Sequence, residues 1–276
     1  MLVEAQVLVP VSVVVPCYCC TETVERAIHS VASQTIRPNE VILIEDGSSD
    51  NTLSVLYGLQ KKYGNWIRVV PLPKNLGVAS ARNTGWTLAK NPYIAFLDAD
   101  DAWHPKKIEI QLEFMVNNLD VMLCGHQHRE LSENNDDSLQ WTLELKQISK
   151  VTWLQMLLKN QFITPSIMLK KEINFRFSET ARYMEDHFLW LEIVSAGMLT
   201  VKLDIDLAAV YKPMYGASGL SANMWMMEKA ELSNYRQLYN QGKLVFGMYM
   251  FLQCFSLTKY IKRILVVYIL RHFGVK

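Results

Sequence analysis

The chain has 276 residues, of which 50% are hydrophobic and 20% charged, so it can bury a sizeable core and disorder is not expected. A formal net charge of +1 gives no reason to expect a nucleic-acid partner. The five cysteines are an odd number, which argues against a disulfide framework and favours a reducing cytoplasm. No apolar stretch reaches the ~20 residues that cross a bilayer, and the apolar N-terminal run has prolines and no basic residues, unlike a signal peptide.

Short apolar runs alternate with helical patterns over the first 120 residues or so. The patterns predict strands at residues 11–15, 41–44, 67–70 and 93–97, followed by helices over 24–32, through 56–59, over 77–90 and over 105–119. A further helix is predicted at 184–194. Strands that are apolar on both faces and alternate with helices indicate a parallel sheet covered on both sides. Ligands of such sheets bind beyond the carboxyl ends of the strands.

Acidic loops follow two of the predicted strands. Asp46 and Asp50 follow the second strand, and Asp98, Asp100 and Asp101 follow the fourth. If the chain stays extended there, Asp98 and Asp100 point to the same side. Their hard carboxylate oxygens suit Mg²⁺ or Mn²⁺, with water and phosphate oxygens completing the coordination. The alternative is a solvated acidic turn that caps a helix.

Two common phosphate-binding motifs are absent from the sequence. No G-x-G-x-x-G follows the first strand, and no G-x-x-x-x-G-K-[ST] occurs anywhere. This argues against a dinucleotide-dependent oxidoreductase and against a P-loop phosphotransferase. We therefore expect a metal, and not a glycine-rich helix terminus, to meet any phosphate charge.

Six short segments carry the most specific signal in the sequence. They are VSVVVPCY at 11–18, AIHSVASQT at 27–35, EDGSSDNT at 45–52, NLGVASARNTG at 75–85, FLDADD at 96–101 and YMEDHFLW at 183–190. In order and spacing, the segments resemble a family 2 glycosyltransferase from about residue 10 to 195. Cys19 stands where that family usually has Asn. The usual late Arg or His is replaced in VYKPMY at 210–215, so no late phosphate contact is assigned.

The resemblance implies a GT-A fold and inverting sugar transfer from a nucleoside diphosphate donor. We expect an α/β fold with a mostly parallel central sheet, helices on both faces and a C-terminal helical tail. Residues 1–120 would form the nucleotide-sugar-binding half of the domain, and 121–230 the acceptor-binding and catalytic half. Residues 231–276 would form a basic amphipathic tail.

The resemblance also implies roles for the nucleotide-binding residues. Pro16 and Tyr18 would line the base pocket, and Asp46 would accept a hydrogen bond from the base, typically uracil. Arg82 would lie near the nucleotide. Asp98 would bind the ribose or a metal-bound water.

The catalytic centre implied by the resemblance combines a metal with one carboxylate base. Asp100, helped by Asp98, would bind Mn²⁺ or Mg²⁺, and the metal would neutralise the departing diphosphate. Asp186 would take the proton of the acceptor hydroxyl. Glu185 beside it would contact the acceptor or support the base. Without the family, the pair Glu185–Asp186 would read as helix N-terminal charge, which the helix dipole favours.

The last 45 or so residues form a basic, amphipathic segment. From Leu232 onward the sequence has no acidic residue, and two short apolar runs, 244–257 and 264–270, flank Lys259, Lys262 and Arg263. Such a pattern suits a helix lying on an anionic membrane surface. The alternative is a helix packed on the domain or in a dimer. Peripheral association with the cytoplasmic face of the cell membrane would suit a lipid-linked oligosaccharide or other glycan acceptor.

Two other functions compete with sugar transfer. A sugar nucleotidyltransferase would share the sheet and the aspartates, but would need a glycine-rich basic loop after the first strand. A non-catalytic, membrane-associated subunit would have no need of Asp46, Asp98, Asp100 and Asp186, which are all present.

Overall fold

The computed structural model describes residues 8–131, 143–211 and 223–273. The chain divides into two compact units, Met1–Pro213 and Met214–Lys276. The boundary expected at residue 231 falls inside a helix that spans Met224–Asn240, so the second unit begins earlier than the basic composition indicates.

The first unit alternates strands and helices from β1 to β4, and its later strands and helices follow a less regular order. Its elements are β1 Leu8–Cys17, α1 Val24–Ala32, β2 Arg37–Glu45, α2 Thr52–Tyr63, β3 Ile67–Pro71, α3 Val78–Leu88, β4 Tyr93–Phe96, β5 Ala102–Trp103, α4 Lys107–Asn117, β6 Val121–Glu130, β7 Ile148–Lys150, α5 Trp153–Leu158, β8 Met168–Lys170, α6 Glu185–Ser195 and β9 Leu199–Val210. The predicted strands and helices of the first half are therefore present. α4 starts at Lys107, because Pro105 and Lys106 form the turn before it.

The topology of the sheet explains where a ligand would bind. β1 pairs in parallel with β2 on one side and β4 on the other, and β2 pairs in parallel with β3. The strand order β3-β2-β1-β4 means that the chain winds outward from β1 and then returns to its other side. In α/β sheets, such a reversal opens a crevice at the carboxyl ends of the strands. Here those ends carry Tyr18, Asp46 and Asp98.

The second half of the sheet is mixed. β8 is antiparallel to both β4 and β6, and β9 runs parallel to β6 but antiparallel to β5 and β7. The sheet order continues as β4-β8-β6-β9-β5. One sheet thus spans both sequence halves, from β1 to β9 after α6.

Close packing fixes α3 against the central strand. Residues Val13, Val14 and Val15 of β1 are completely buried, as expected for a strand covered on both faces. Gly85 allows α3 to approach, because a Cβ at this position would lie 2.3 Å from Cγ1 of Val14. Arg82 lies one helical turn before Gly85 and is held near the carboxyl end of the sheet by this contact.

The second unit is a helical hairpin in the residues described. α7 spans Met224–Asn240 and α8 spans Phe246–Phe273. Within the described ranges, neither helix combines the length and hydropathy that a membrane crossing requires.

We expect Gly85→Ala and Gly58→Ala to change stability in opposite directions. Overpacking Val14 should make Gly85→Ala cost about 1–3 kcal/mol of unfolding free energy. Gly58 lies in α2, and a methyl group added there would have no atom within 4 Å, so Gly58→Ala should stabilise by about 0.5–1 kcal/mol. Urea denaturation measures both. Adding Val14→Ala to Gly85→Ala should recover part of the loss, and a loss that simply adds to that of Val14→Ala would contradict the contact.

Candidate active site

The loops after β1 and β2 are joined by side-chain hydrogen bonds. The backbone N–H of Cys19 donates to Ser48 Oγ at 3.0 Å, and Thr21 Oγ1 donates to Asp50 Oδ2 at 2.7 Å. Tyr18, directly before Cys19, is 53% exposed, so its ring is accessible for stacking. The two loops therefore act as one surface beside the sheet crevice.

Cys19 holds a backbone conformation that few residues adopt. Its φ is 46°, in the left-handed region where Asn is several-fold enriched over other non-glycine residues. The family resemblance places Asn at this position. The backbone of this chain is left-handed at this position even though cysteine favours that conformation less than asparagine does.

Asp46 fixes the segment before α3 to the end of β2. Its Oδ1 accepts from the N–H of Leu76 at 2.7 Å and its Oδ2 from that of Gly77 at 2.9 Å. Burial raises the pKa of Asp46, although these two hydrogen bonds act in the opposite direction. Gly47 makes the turn possible, because a Cβ there would lie 2.4 Å from the backbone nitrogen of Asn75. Each oxygen keeps a second lone pair for a ligand.

Arg82 joins three segments that are distant in sequence. Its Nη2 lies 2.7 Å from Asp98 Oδ1, and its Nη1 lies 2.9 Å from Glu185 Oε1. The side chains of Arg82 and Glu185 are almost completely buried, whereas that of Asp98 is partly exposed. The family resemblance implies that Arg82 lies near the nucleotide; the structure shows its guanidinium bridging the loop after β4 and the start of α6.

The charges around Arg82 perturb its own pKa and that of Glu185. Burial acts to lower the pKa of Arg82, but the negative charges of Asp98, Glu185 and Asp186 outweigh it and raise that pKa. Burial raises the pKa of Glu185 from 4.5 to about 7, with Arg82 opposing and Asp186 adding to the shift. Three acidic side chains thus act on one cation, and burial favours the protonated form of Glu185.

Asp186 lies in the first turn of α6, and its side chain accepts a hydrogen bond from a backbone N–H of that turn. Its Oδ1 accepts from the N–H of His187 at 2.7 Å, and Asn160 Nδ2 lies 3.5 Å from Oδ2. Met184 precedes the helix with a φ of 56°, an uncommon value for a residue with a side chain. The structure therefore supports the alternative interpretation of Asp186, in which its negative charge stabilises the start of a helix. Asn160 carried no signal in the sequence, because it follows a helix in the irregular middle region.

The Asp98–Asp101 segment is a turn. The N–H of Asp101 donates to the carbonyl of Asp98 at 3.1 Å, so the expectation of an extended chain is wrong. β4 ends at Phe96, the N–H of Leu97 donates to the carbonyl of Val14 in β1, and the chain then turns. Arg26 Nη2 donates to the carbonyl of Asp100 at 2.6 Å and holds the turn from α1. Arg26 was not identified from sequence, since it appears there only as an ordinary helical charge.

This turn offers a metal ion two carboxylate ligands, those of Asp98 and Asp100. In the parts of the chain that the structure describes, no three His, Cys, Asp or Glu side chains are grouped to hold an ion. Asp98 and Asp100 are both half-buried at the crevice. Two hard oxygen donors fit Mg²⁺ or Mn²⁺ that takes its remaining ligands from phosphate and water. They do not fit a metal enclosed by protein alone.

An aromatic cluster supports the elements that carry these charges. Phe177 packs edge-on against Trp86 of α3, Phe96 of β4 and Trp190 of α6, with ring centroids 6.3, 5.3 and 5.9 Å apart. Asn83 adds hydrogen bonds to both backbone groups of Phe177. The cluster therefore fixes α3, β4 and α6 in the positions that bring Arg82 to its partners. The rest of VYKPMY beyond Tyr211 lies outside the described residues.

Comparison with known proteins agrees with this geometry. Residues 12–177 match the model of glycosyl transferase family 2. The putative teichuronic acid biosynthesis glycosyltransferase TuaG of Bacillus subtilis is 29% identical over 230 residues, covering 83% of this chain and 88% of TuaG. WfgD of Escherichia coli, a UDP-Glc:alpha-D-GlcNAc-diphosphoundecaprenol beta-1,3-glucosyltransferase, is 30% identical over 184 residues, covering 67% of this chain and 69% of WfgD.

Solved structures show the same fold. S. aureus TarS in complex with UDP-GlcNAc superposes with a TM-score of 0.64 at 18% identity, covering 84% of this chain and 67% of that one. The mannosyltransferase PcManGT of Pyrobaculum calidifontis, in complex with GDP-Man and Mn²⁺, gives 0.64 at 16% identity, covering 90% and 69%. These likenesses confirm the predicted GT-A fold.

We expect Glu185→Gln to remove a pH dependence of stability. The folded-state pKa of Glu185 is raised from 4.5 to about 7, so its stabilising contribution is complete below pH 4.5 and is lost as the pH rises through 7. The free energy of unfolding of wild type minus that of Glu185→Gln should therefore fall by on the order of 2–4 kcal/mol between pH 4.5 and 8. Denaturant titrations across this range measure it. A difference that does not change with pH would show that the carboxylate is ionised throughout.

Proposed function

The chain belongs to glycosyl transferase family 2, and from this premise we propose that it transfers a sugar, with inversion, from a UDP-sugar to a hydroxyl of a glycan or lipid-linked acceptor. The observation that carries the proposal is the bridge from Asp98 through Arg82 to Glu185, which joins the donor side of the crevice to the helix bearing Asp186. Family membership removes the nucleotidyltransferase alternative.

The donor would bind along the carboxyl ends of β1, β2 and β4. Pro16 and the exposed ring of Tyr18 would hold the base, and Asp46 would use its remaining lone pairs to accept from the pyrimidine edge. Asp98, fixed by Arg82, would meet the ribose or a metal-bound water. The TarS complex with UDP-GlcNAc supports a uridine donor.

Departure of the diphosphate requires compensation of its negative charge. Asp100, with Asp98, would hold Mn²⁺ or Mg²⁺, which when bound would neutralise the leaving group. The PcManGT complex with Mn²⁺ supports a divalent ion in this family fold. Arg26 contributes by holding the carbonyl of Asp100 and so the orientation of the turn.

Asp186 would activate the acceptor. A sugar hydroxyl is a weak nucleophile, and a carboxylate within hydrogen-bond reach can take its proton as the new bond forms. Asp186 is half-buried, and its Oδ1 is oriented by the N–H of His187. Glu185 beside it would position Arg82 and keep the local charge low by retaining a proton near neutral pH.

The names of two relatives support a glycan or lipid-linked acceptor. WfgD is named for a diphosphoundecaprenol-linked acceptor, and TuaG for teichuronic acid biosynthesis. A lipid-linked glycan would be met at the cytoplasmic face of the cell membrane, with the second unit holding the enzyme there. The five cysteines are all free thiols, which suits a reducing cytoplasm.

We expect the donor and the metal to bind interdependently. A UDP-sugar with Mn²⁺ should raise the melting temperature of the wild type more than either alone, because ligands that bind only the folded state stabilise it by mass action. Asp100→Asn should abolish the combined shift, and EDTA should abolish transfer. A GDP-sugar that stabilises more than a UDP-sugar would contradict the uridine assignment, and full transfer activity in EDTA would contradict the metal.

We expect Asp186→Asn to bind the donor with Mn²⁺ normally but to lose transfer. Asparagine can keep the hydrogen bond to the N–H of His187, so the helix start is preserved, but it cannot accept a proton. Loss of a general base should lower kcat by roughly 10²–10⁴. Loss of a helix cap alone would cost about 1 kcal/mol of stability and leave turnover nearly unchanged. Asp120→Asn, at an exposed turn, is the control. A decrease below tenfold in a folded variant would exclude Asp186 as the base.

A further inference from the structure

Two polar side chains of α8, Ser256 and Lys259, contact acidic residues of α7. Ser256 Oγ donates to Glu228 Oε1 at 2.8 Å, and Lys259 Nζ lies 2.6 Å from Glu231 Oε1. The charge of Arg263 also acts on Glu228 and lowers its pKa, although burial raises that pKa overall. Lys259 is therefore paired inside the hairpin, and the charge of Arg263 acts on Glu228 in the same direction as that of Lys259.

The outer face of α8 is apolar. Phe246, Ile261 and Leu265 are 63%, 58% and 55% exposed, and Met250 and Leu257 between them are also exposed. Successive members of this set are four or seven residues apart, which places them on one side of the helix. Water-soluble helices normally bury such a stripe and expose the polar one. We call these five residues the α8 outer face. An exposed apolar surface of this kind marks an interaction site.

The exposed charges of the second unit favour a lipid surface over a second copy of the chain as the partner of the α8 outer face. Both acidic residues of the second unit, Glu228 and Glu231, are buried. Among its described residues the exposed charges are basic: Lys229, Arg236 and Lys262. A second copy packed on this face would bring two basic surfaces together, which like-charge repulsion opposes. Lipid headgroups supply the opposite charge.

Exposed aromatic residues on the same hairpin also suit a membrane interface. Trp225 lies near the start of α7 and Tyr239 near its end, and both side chains are exposed. Tryptophan and tyrosine concentrate at the level of lipid headgroups because their rings are amphipathic. The hairpin thus combines an apolar stripe, basic charges and interfacial aromatics.

We propose that the α8 outer face inserts into the headgroup–acyl boundary of a bilayer and that apolar contact supplies most of the affinity. This deepens the proposed function, since it rests on the action upon a lipid-linked acceptor. Charge steers the unit toward anionic lipid, but Lys259 is already paired internally. Binding is therefore expected to persist on neutral lipid and at high salt, where screening weakens attraction between exposed charges.

Substitution on the outer face tests this better than truncation. Deleting α8 would leave Glu228 and Glu231 without Ser256 and Lys259, and would destabilise α7. Ile261→Lys with Leu265→Lys changes only exposed positions. The double substitution also adds two positive charges, so a charge-driven contact would tighten and an apolar contact would weaken.

The experiment measures sedimentation of the full-length protein with phosphatidylcholine vesicles and with vesicles containing phosphatidylglycerol, at low and high salt. The wild type should bind both, and the double-lysine variant should bind each at least tenfold more weakly. The control Lys262→Gln should lose no more than about fivefold on anionic vesicles and nothing on neutral ones. Circular dichroism confirms folding, and the salt series on the wild type tests the proposal independently of any variant.

Three results would overturn the proposal. The first is wild-type binding that is confined to anionic vesicles and vanishes at high salt. The second is a double-lysine variant that binds vesicles as well as the wild type does. A wild-type dimer in solution that the double-lysine substitution dissociates would assign the face to a second copy. Transfer to a water-soluble acceptor separates this proposal from sugar transfer itself: the double-lysine variant should retain it, and a wild type that binds vesicles without transferring sugar would contradict only the proposed function.

Discussion

The buried guanidinium of Arg82 is the constraint on which the first unit depends. A buried cation is tolerated only when it is paired and hydrogen-bonded, and removing one partner leaves an uncompensated charge. The terminal nitrogens of Arg82 find these partners: Nη2 is paired with Asp98 from the loop after β4, and Nη1 donates to Glu185 Oε1 at the start of α6, an oxygen that can accept whether or not the carboxyl group carries a proton. The loop and the helix must therefore keep one relative position for the fold to be stable.

Packing around the guanidinium makes its position rigid. The ring of Phe177 lies 5.3 Å from the guanidinium carbon of Arg82 and touches aromatic side chains of α3, β4 and α6. Gly85 lets α3 lie directly on β1. The strand reversal beside β1 opens the crevice, and the aromatic cluster fixes its walls. Preorganised groups of this kind do not have to be ordered again when a ligand binds.

The sequence predicts the local elements well and their long-range partners poorly. Hydrophobic periodicity identifies β1–β4 and the helices between them, because it depends on neighbours in the chain. It cannot show that Arg82 reaches Glu185, 103 positions away. It also misses the turn at Asp98–Asp101, which depends on where sheet pairing stops, and the start of the second unit, because composition changes only after α7 has begun.

Internal pairing also changes how charges in this chain should be counted. In the tail, Lys259 is balanced by Glu231, so the number of basic residues overstates the charge presented to a membrane. Around Arg82 in the first unit, negative charge is in excess, because Asp98, Glu185 and Asp186 all act on this one guanidinium. A proton on Glu185 reduces that excess but does not cancel it. A donor diphosphate entering beside Asp98 and Asp100 would add further negative charge in a partly buried site, where like charges repel strongly. Donor binding should therefore depend on a divalent cation even before any bond is broken.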